Sequence, residues 1–596
     1  MLHFKREVIM SNKYIYVLLT LLFLSGCIEN TLDRKPLNMI SDADVWTSEQ
    51  LIDIYMVSLY NAIPIGFTGN PHLANLTDEG SYHEENPPVS NFGNHPHVLN
   101  TSMYAWIRRA NYFLDRIQTA TITEERIKQY IAECKFVRAY YYFDLVKKYG
   151  GMPIVTEVQV FDNNLEELQV SRNKEEEVYD FILNELDAAI VDLPNSWDAA
   201  NMNRATKLVA QALKSRAMLY AGSIAKYGTV QLNGLIGIPS DKANTYFSES
   251  IKASKVIMDS SVYGLYDKLY NPASQSGNPV TNYQQIFVDK NNEEVIFQKA
   301  YSFPDKVHSF DNLNTPEGFT TNNGSSICPL LELVESYEYV NGTPGVLMVD
   351  GKEFDSPTEL FKDKDPRFDA SIFRSESPYI GRAVQIYRGI YDTDGTLYET
   401  ESVPFPKDPN MIQVGMDGPY PTGNYSKSGF YIRKILNPDR AVVEPNYSDQ
   451  NYIDIRYAEI LLNFSEAALE TGTNLSEALD AVNQIRARAG IRQLSSDELT
   501  IERLRNERKV ELAFEDKRFW DIRRWRIGTS LFQNTYMHGL YPYLKYTGSG
   551  YKYIFKKISG YPLDGGLSRV WEERDYYSNL SGYISTNKNI INNPGW

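Results

Sequence analysis

Read by where its apolar residues fall, the chain is a run of helices interrupted by a long stretch with a different rhythm. Over residues 126–148, Ile127, Tyr130, Ile131, Cys134, Val137, Tyr141 and Leu145 recur at three- and four-residue steps, the spacing of one helical face. Gly150-Gly151 and Pro153 end that run. Residues 104–117 give a helix just ahead of it. Asn173, with Glu176 three residues on, reads as the N-terminal cap of a third helix ending at Leu193-Pro194. Residues 207–223 and 246–259 follow. Far along the chain, Tyr457, Ile460, Leu461, Phe464, Ala467 and Ala468 line another helix, which Gly472 breaks. Leu479, Val482 and Ile485 line its partner up to Gly490.

Between the two helical blocks, residues 264–451 are rich in Gly, Pro, Asn, Asp and Tyr, with short β-like runs such as Glu294-Val295-Ile296-Phe297. A second irregular, Tyr-rich stretch covers 536–583. Structureless loops of such length are uncommon in compact domains, so both are expected to be folded and to carry function. The paired helices resemble tetratricopeptide units, whose repeat is ~34 residues. The expected fold is mainly α: a tetratricopeptide-like helical-repeat scaffold with loop-rich insertions carrying short β elements.

The first residues change the cellular picture. Lys5, Arg6 and Lys13 precede an apolar run from Ile15 to Leu24 that is too short to span a bilayer and reads as a signal segment. Leu24-Ser25-Gly26-Cys27 closes it and resembles a lipobox, so Cys27 is the expected lipid attachment residue, with several acyl chains giving a stable anchor. The net charge of −16 argues against nucleic acid as a partner. Of the remaining cysteines, Cys134 lies on an apolar stripe and is expected as a buried thiol.

A set of motifs then appears in order along almost the whole chain. Glu133 to Leu145, followed by Lys148-Tyr149-Gly150-Gly151-Met152-Pro153, resembles the hallmark segment of the SusD/RagB family. Leu32-Asp33 with Pro36 and Trp46 is similar to the family's mature start. Further matches are Arg204-Ala205-Thr206, Ala212 to Arg216, Asp365-Pro366-Arg367-Phe368, Ile455-Arg456-Tyr457-Ala458-Glu459 and Asn483 to Gly490. Glu507 to Glu515, Arg518-Phe519-Trp520-Asp521, Arg524-Trp525 and the closing Asn593-Pro594-Gly595-Trp596 complete the set. The expected organisation is a signal peptide over 1–26 and an N-terminal helical region over 27–263. A loop-rich ligand-binding insertion spans 264–451, a C-terminal helical region 452–530 and a Tyr-rich lobe 531–596. The resemblance implies a lipid-anchored protein at the outer-membrane surface that binds oligosaccharide without chemistry and hands it to a SusC-like TonB-dependent transporter. RagB-like peptide binding and a tetratricopeptide-type assembly scaffold are the alternatives. No cofactor is expected.

Most motif residues read as scaffold: Arg508, Glu511, Glu515 and Arg518 stand at spacings that allow pairing along a helix, and Arg138 and Asp144 are expected to bond to neighbouring helices. Candidate ligand contacts lie in two places. His72, His83, His95 and His97 cluster with Asp78, Glu79, Glu84 and Glu85, in a spacing too loose for a metal motif. That stretch reads either as a solvated polar loop or as ligand contacts. Tyr82, His83, Asn94 and His97 are the first choices there, as a stacking ring and hydrogen-bonding partners. The second place is 282–323, where Tyr283, Tyr301, Phe303, Phe310 and Phe319 stand among Asn and Asp. Sugar recognition needs such rings against the apolar sugar face, with polar side chains meeting the hydroxyls. No GxSxG, HExxH, phosphate-loop or catalytic-Cys signature appears, and the chain reads as a non-enzyme.

Overall fold

Three of the longer helices start on a threonine whose hydroxyl holds a first-turn N–H: Thr123, Thr206 and Thr500. In the computed structural model, which describes residues 42–67, 72–83, 103–290, 292–320, 323–439 and 443–596, the first helices are α1 (Glu49–Asn61), α2 (Tyr104–Arg116) and α3 (Glu124–Tyr149). Thr123 caps α3 by accepting from the Arg126 N–H. α4 (Glu175–Asp192), α5 (Lys207–Tyr227) and α6 (Ala243–Ser260) follow, and Thr206 caps α5. The cap of α4 lies one residue later than the spacing predicts. Lys174 holds the cap position and its N–H donates to Glu177 at 3.1 Å, while the Asn173 side chain accepts from Ile154.

Consecutive helices pack on one another from α3 to α6, and the stack then continues across the insertion. α7 (Tyr457–Thr471) docks on α6, and α8 (Leu475–Ala489) docks on α7. Gly472 and Gly490 end these two helices in the left-handed conformation, at φ of 70° and 75°. The two-strand ladder of β1 (Val295–Lys299) and β2 (Tyr452–Arg456) runs antiparallel, with Tyr452 opposite Lys299 and Arg456 opposite Val295. It delivers the chain back into the stack at α7. Helices α9 (Ile501–Glu511) and α10 (Arg518–Arg524) close this half.

The turn after α3 shows why that segment is so specific. A Cβ on Gly151 would sit 2.1 Å from the Asn173 carbonyl oxygen, so the turn admits only glycine there. Arg172 holds the turn by donating to the carbonyls of Gly151 at 2.7 Å and Tyr149 at 2.9 Å, and Asn593 also donates to Tyr149. The terminal Asn-Pro-Gly-Trp motif is thereby tied to the end of α3.

The first part of the second irregular stretch joins the insertion in one lobe, whereas Leu563, Trp571, Tyr576 and Tyr577 pack into the helical core. β3 (His538–Tyr546) and β4 (Tyr551–Ser559) make a hairpin, and β3 also runs parallel to the short strand Ile390–Tyr391, itself paired with Leu397–Tyr398. Leu540 and Phe555 of the hairpin share an apolar core with Tyr283, Phe310, Phe368 and Phe430 from the insertion. Sequence separation therefore hides a common fold.

A buried block of charge joins this lobe to the helices. Arg456 reaches Glu294 and Glu511 at 2.6 Å each and Glu515 at 2.7 Å. Arg488 binds Glu294 and Glu511; Arg367 binds Asp365, Glu507 and Glu511. Lys434 meets Glu515, and Arg486 meets Glu507. Five cations thus face five nearly solvent-free carboxylates, and Arg486 also reaches the more exposed Glu338 at the edge of the block. Pairing along one helix does not occur at the expected positions. Arg508 pairs with Asp521 and Arg518 with Asp78, because α9 ends at Glu511 and Phe514 and Asp516 turn into the left-handed region at φ of 62° and 59°. Arg138 does bridge helices, to Glu185 on α4 and Asn111 on α2. Asp144 pairs with Lys148 on its own helix at 2.6 Å. Cys134 is buried, with its thiol directed at the Ala110 carbonyl.

Candidate ligand-binding site

One face of α3 carries Tyr140, Phe143, Asp144, Lys147 and Lys148, residues that helical spacing brings into a single line. That line forms the floor of a cleft of about 610 Å³. Arg216 and Tyr220, one turn apart on α5, extend it, and Tyr452 and Asp454 come from one face of β2. Lys299 and Tyr301 at the end of β1, Asp516-Lys517 and Trp520 supply another side. The wall opposite is the segment from Asn61 to Phe67, with Leu73 and Met103. The volume falls within the range of small-ligand pockets, ~300–1,000 Å³.

The lining alternates ring faces and polar groups. Phe67 packs against Tyr301, His308 and Phe310, and meets Tyr452 edge-on at 5.2 Å. The Tyr452 hydroxyl donates to Asp516 at 3.0 Å, and that of Tyr140 to Asp454 at 2.6 Å. Arg216 grips both Asp454 and Glu459. Burial alone would raise the Asp454 carboxyl, but Arg216 reverses this and holds it below its usual range. Lys147 lies 4.4 Å above the Trp520 ring, and burial lowers its ammonium to about 8. Lys299 donates to the Ile65 carbonyl and is also lowered by burial. Flat rings with convergent donors and acceptors are what an oligosaccharide requires.

The residues singled out in the sequence separate in space. Tyr301 lines the cleft. Phe303 is 50 % exposed beside Tyr447, with the rings 5.3 Å apart. Tyr283 is a correction: it is fully buried, donates to the Glu511 carbonyl and accepts from Lys434, so its ring serves the core. Phe310 is buried too, and Phe319 lies half-buried under the Arg382 guanidinium at 3.6 Å. Tyr82 is half-buried with its ring 4.5 Å from His83. His83 is itself buried, with Nδ1 3.3 Å from the Ser325 carbonyl oxygen, and burial pushes its imidazole down to about 4. His72, Asp78 and Glu79 are likewise buried, so the described part of this stretch is not a solvated loop. Asn94, His97 and Cys27 lie outside the described residues. Among the described residues, no group of three or more His, Cys, Asp or Glu is arranged to hold a metal ion. No helix among them is long and apolar enough to cross a membrane. Sequence reasoning missed Trp520, inside a motif read as scaffold, and Lys147 and Lys517, which stand between such motifs. The signal was a pair of lysines on an otherwise aromatic helix face.

Comparison with known proteins places this architecture. The SusD family matches residues 293–596, and the family described as starch-binding associating with outer membrane matches residues 32–219. The chain belongs to the SusD family. A SusD-like protein of Bacteroides ovatus is 23% identical over 541 residues, covering 87% of this chain and 83% of the relative. SusD-like protein P2 of Formosa agariphila is 44% identical over 95 residues, 14% of this chain and 19% of that one. Among solved structures, a SusD-like protein from Bacteroides fragilis superposes with a TM-score of 0.71 at 26% identity, covering 94% of this chain and 100% of that one. A laminarin binding SusD-like protein gives a TM-score of 0.60 at 18% identity, over 92% of this chain and 100% of its own, a likeness of fold. The helical scaffold and the ordered motifs of this SusD-family chain therefore agree with the family the sequence resembles.

Proposed function

We propose that this protein is a cell-surface glycan-binding lipoprotein that captures oligosaccharide and delivers it to a SusC-like TonB-dependent outer-membrane transporter. The supporting observation is the cleft, where the rings of Tyr301, Tyr452 and Trp520 stand beside hydroxyl, carboxylate and ammonium groups. Lipid on Cys27 holds the body at the outer-membrane surface, and binding proceeds without chemistry on the glycan. Titration calorimetry of the full chain against glycan and peptide panels tests the reading. A glycan is expected to bind, and Tyr301→Ala to weaken it about tenfold, the loss of ~1.4 kcal/mol expected for one stacking ring. Tyr301 suits the test because it is only half-buried and its loss leaves the core intact. Peptide binding with no glycan binding overturns the reading. Delivery has a separate check. The protein purified gently from membranes should bring a TonB-dependent transporter with it, and its recovery alone would count against the partnership.

A further inference from the structure

The charges of the cleft are unequally satisfied. Its lining holds five cations, Lys147, Lys148, Arg216, Lys299 and Lys517, against three carboxylates, Asp144, Asp454 and Asp516. Glu459, just behind the lining, also pairs with Arg216, which leaves an excess of one positive charge in a chain whose formal net charge is −16. Each carboxylate is already engaged: Asp144 by Lys148, Asp454 by Arg216 and Tyr140, and Asp516 by Tyr452. Arg216 and Lys148 are the cations those carboxylates satisfy. For the other three, Lys147, Lys299 and Lys517, no carboxylate oxygen among the described residues comes closer than 3.6 Å.

Lys147 and Lys517 thus share Asp144 and Asp454, at 3.7 and 3.6 Å, with a nearer cation, and buried ammonium groups so weakly paired are costly to hold away from water. The Lys517 side chain is only 7% exposed and that of Lys147 only 17%. Lys147 takes partial compensation from the Trp520 and Phe143 rings, 4.4 and 5.3 Å away. A neutral sugar filling this space would strip the remaining water from three cations and return no charge. An acidic one would supply it.

Resting on the glycan-capture reading, we propose that the cleft selects an anionic glycan, an oligosaccharide whose carboxylate or sulfate groups seat against Lys147, Lys299 and Lys517 while a ring face lies along Trp520 and Tyr301. The attraction is local. The Debye length at physiological salt is about 8 Å, so the acidic outer surface repels such a ligand weakly at the depth of the cleft.

Lys147 gives the selection a pH dependence. Burial holds its ammonium at about 8; Asp144 and Asp454 raise it, and Lys148 and Arg216 lower it further. A bound anion favours the protonated form, so binding takes up a proton and affinity for the charged glycan falls as pH rises past about 8.

The test is titration calorimetry of the full chain with a neutral galactan hexasaccharide, a hexagalacturonate, a sulfated galactan hexasaccharide and an oligoglutamate peptide. At least one charged glycan should bind about tenfold tighter than the neutral one, as expected for a single charge-assisted contact. The uronate and sulfate arms tell which anion is the better fit. The advantage should shrink between about 0.05 and 0.5 M salt. Lys147→Gln should cost the charged glycan about tenfold more than the neutral one, and Lys147→Arg should restore most of that loss. Lys299→Gln provides a second reading from the other wall, and an unchanged melting curve confirms that each variant folds. Equal or tighter binding of the neutral glycan overturns anion selection and leaves glycan capture standing, as does retention of charged-glycan affinity in both glutamine variants. Preference for oligoglutamate over both charged glycans overturns the glycan assignment of these lysines. Absence of binding to every glycan overturns this proposal together with the capture reading.

Discussion

Arg456→Met should destabilise the protein by about 3–5 kcal/mol, the usual cost of removing one partner from a buried ion pair. Arg456 is 1% exposed and holds three carboxylates at once, Glu294, Glu511 and Glu515. Methionine fills similar volume but leaves the five-to-five balance one positive charge short. Arg488 and Arg367 still partner Glu294 and Glu511, and Lys434 still partners Glu515, so the loss is large without abolishing folding. Urea unfolding measures it. Adding Glu515→Gln restores neutrality and should recover part of the loss, which a simple packing defect would not do. A single variant within about 1 kcal/mol of the parent would show the network to be dispensable. The same carboxylates resist acid. Burial raises Glu515, but Arg456 and Lys434 outweigh that and hold it at about 2. Its contribution is present above the unfolded carboxylate range and is lost only as pH falls through about 2.

Glu79→Gln should have the opposite sign above neutral pH. Glu79 is 1% exposed, its Oε1 has no hydrogen-bonding partner, and burial together with the charge of Asp78 raises its carboxyl to about 8. Folded protein therefore keeps a proton there that the unfolded chain releases near pH 4.3. Stability from this group is full below that value and declines by about 1.4 kcal/mol per pH unit until about pH 8. His83, held at about 4 by burial, works the other way only below its unfolded value of about 6.5. Burial also lowers His72. The informative quantity is the stability difference between Glu79→Gln and the parent. It should grow with pH up to about 8 and then level off; a flat difference would mean that Glu79 is already ionised in the folded protein.

The helices were legible because a 3.6-residue stripe of large apolar residues survives over 15–26 positions in α3, α7 and α8. Pairing of their charges was not legible. Spacing along 508–518 implied one helix, whereas two left-handed residues, Phe514 and Asp516, send Glu515 to Arg456, 59 positions away, and Arg518 to Asp78, 440 positions away. The hairpin of β3 and β4 was hidden for another reason. Lysine occupies both faces of Tyr551–Ser559, Lys552 and Lys556 on one with Ile554 and Ile558, Lys557 on the other with the tyrosines, so the strand lacks the apolar–polar alternation that marks a half-buried strand. Within the cleft, Tyr301 was found as a loop aromatic among polar residues. Tyr283, from the same 282–323 stretch, proved to be core, since tyrosine suits a buried hydrogen-bonded site and a wet surface equally. Lys147 and Trp520 escaped because the two helices that carry them both build the scaffold and line the cleft.

The block of ten charges also bears on inheritance. Asp365, Arg367, Arg456, Arg486, Arg488, Glu507, Glu511 and Glu515 all belong to the motifs by which the chain resembles its family. A change at any one of them strands charge in the interior, and a compensating change must arise on another segment, often more than a hundred positions away. Lineages can therefore rewrite the loops around the cleft one residue at a time while this block stays locked. Freedom in the loops and constraint in this block are two outcomes of the same arrangement.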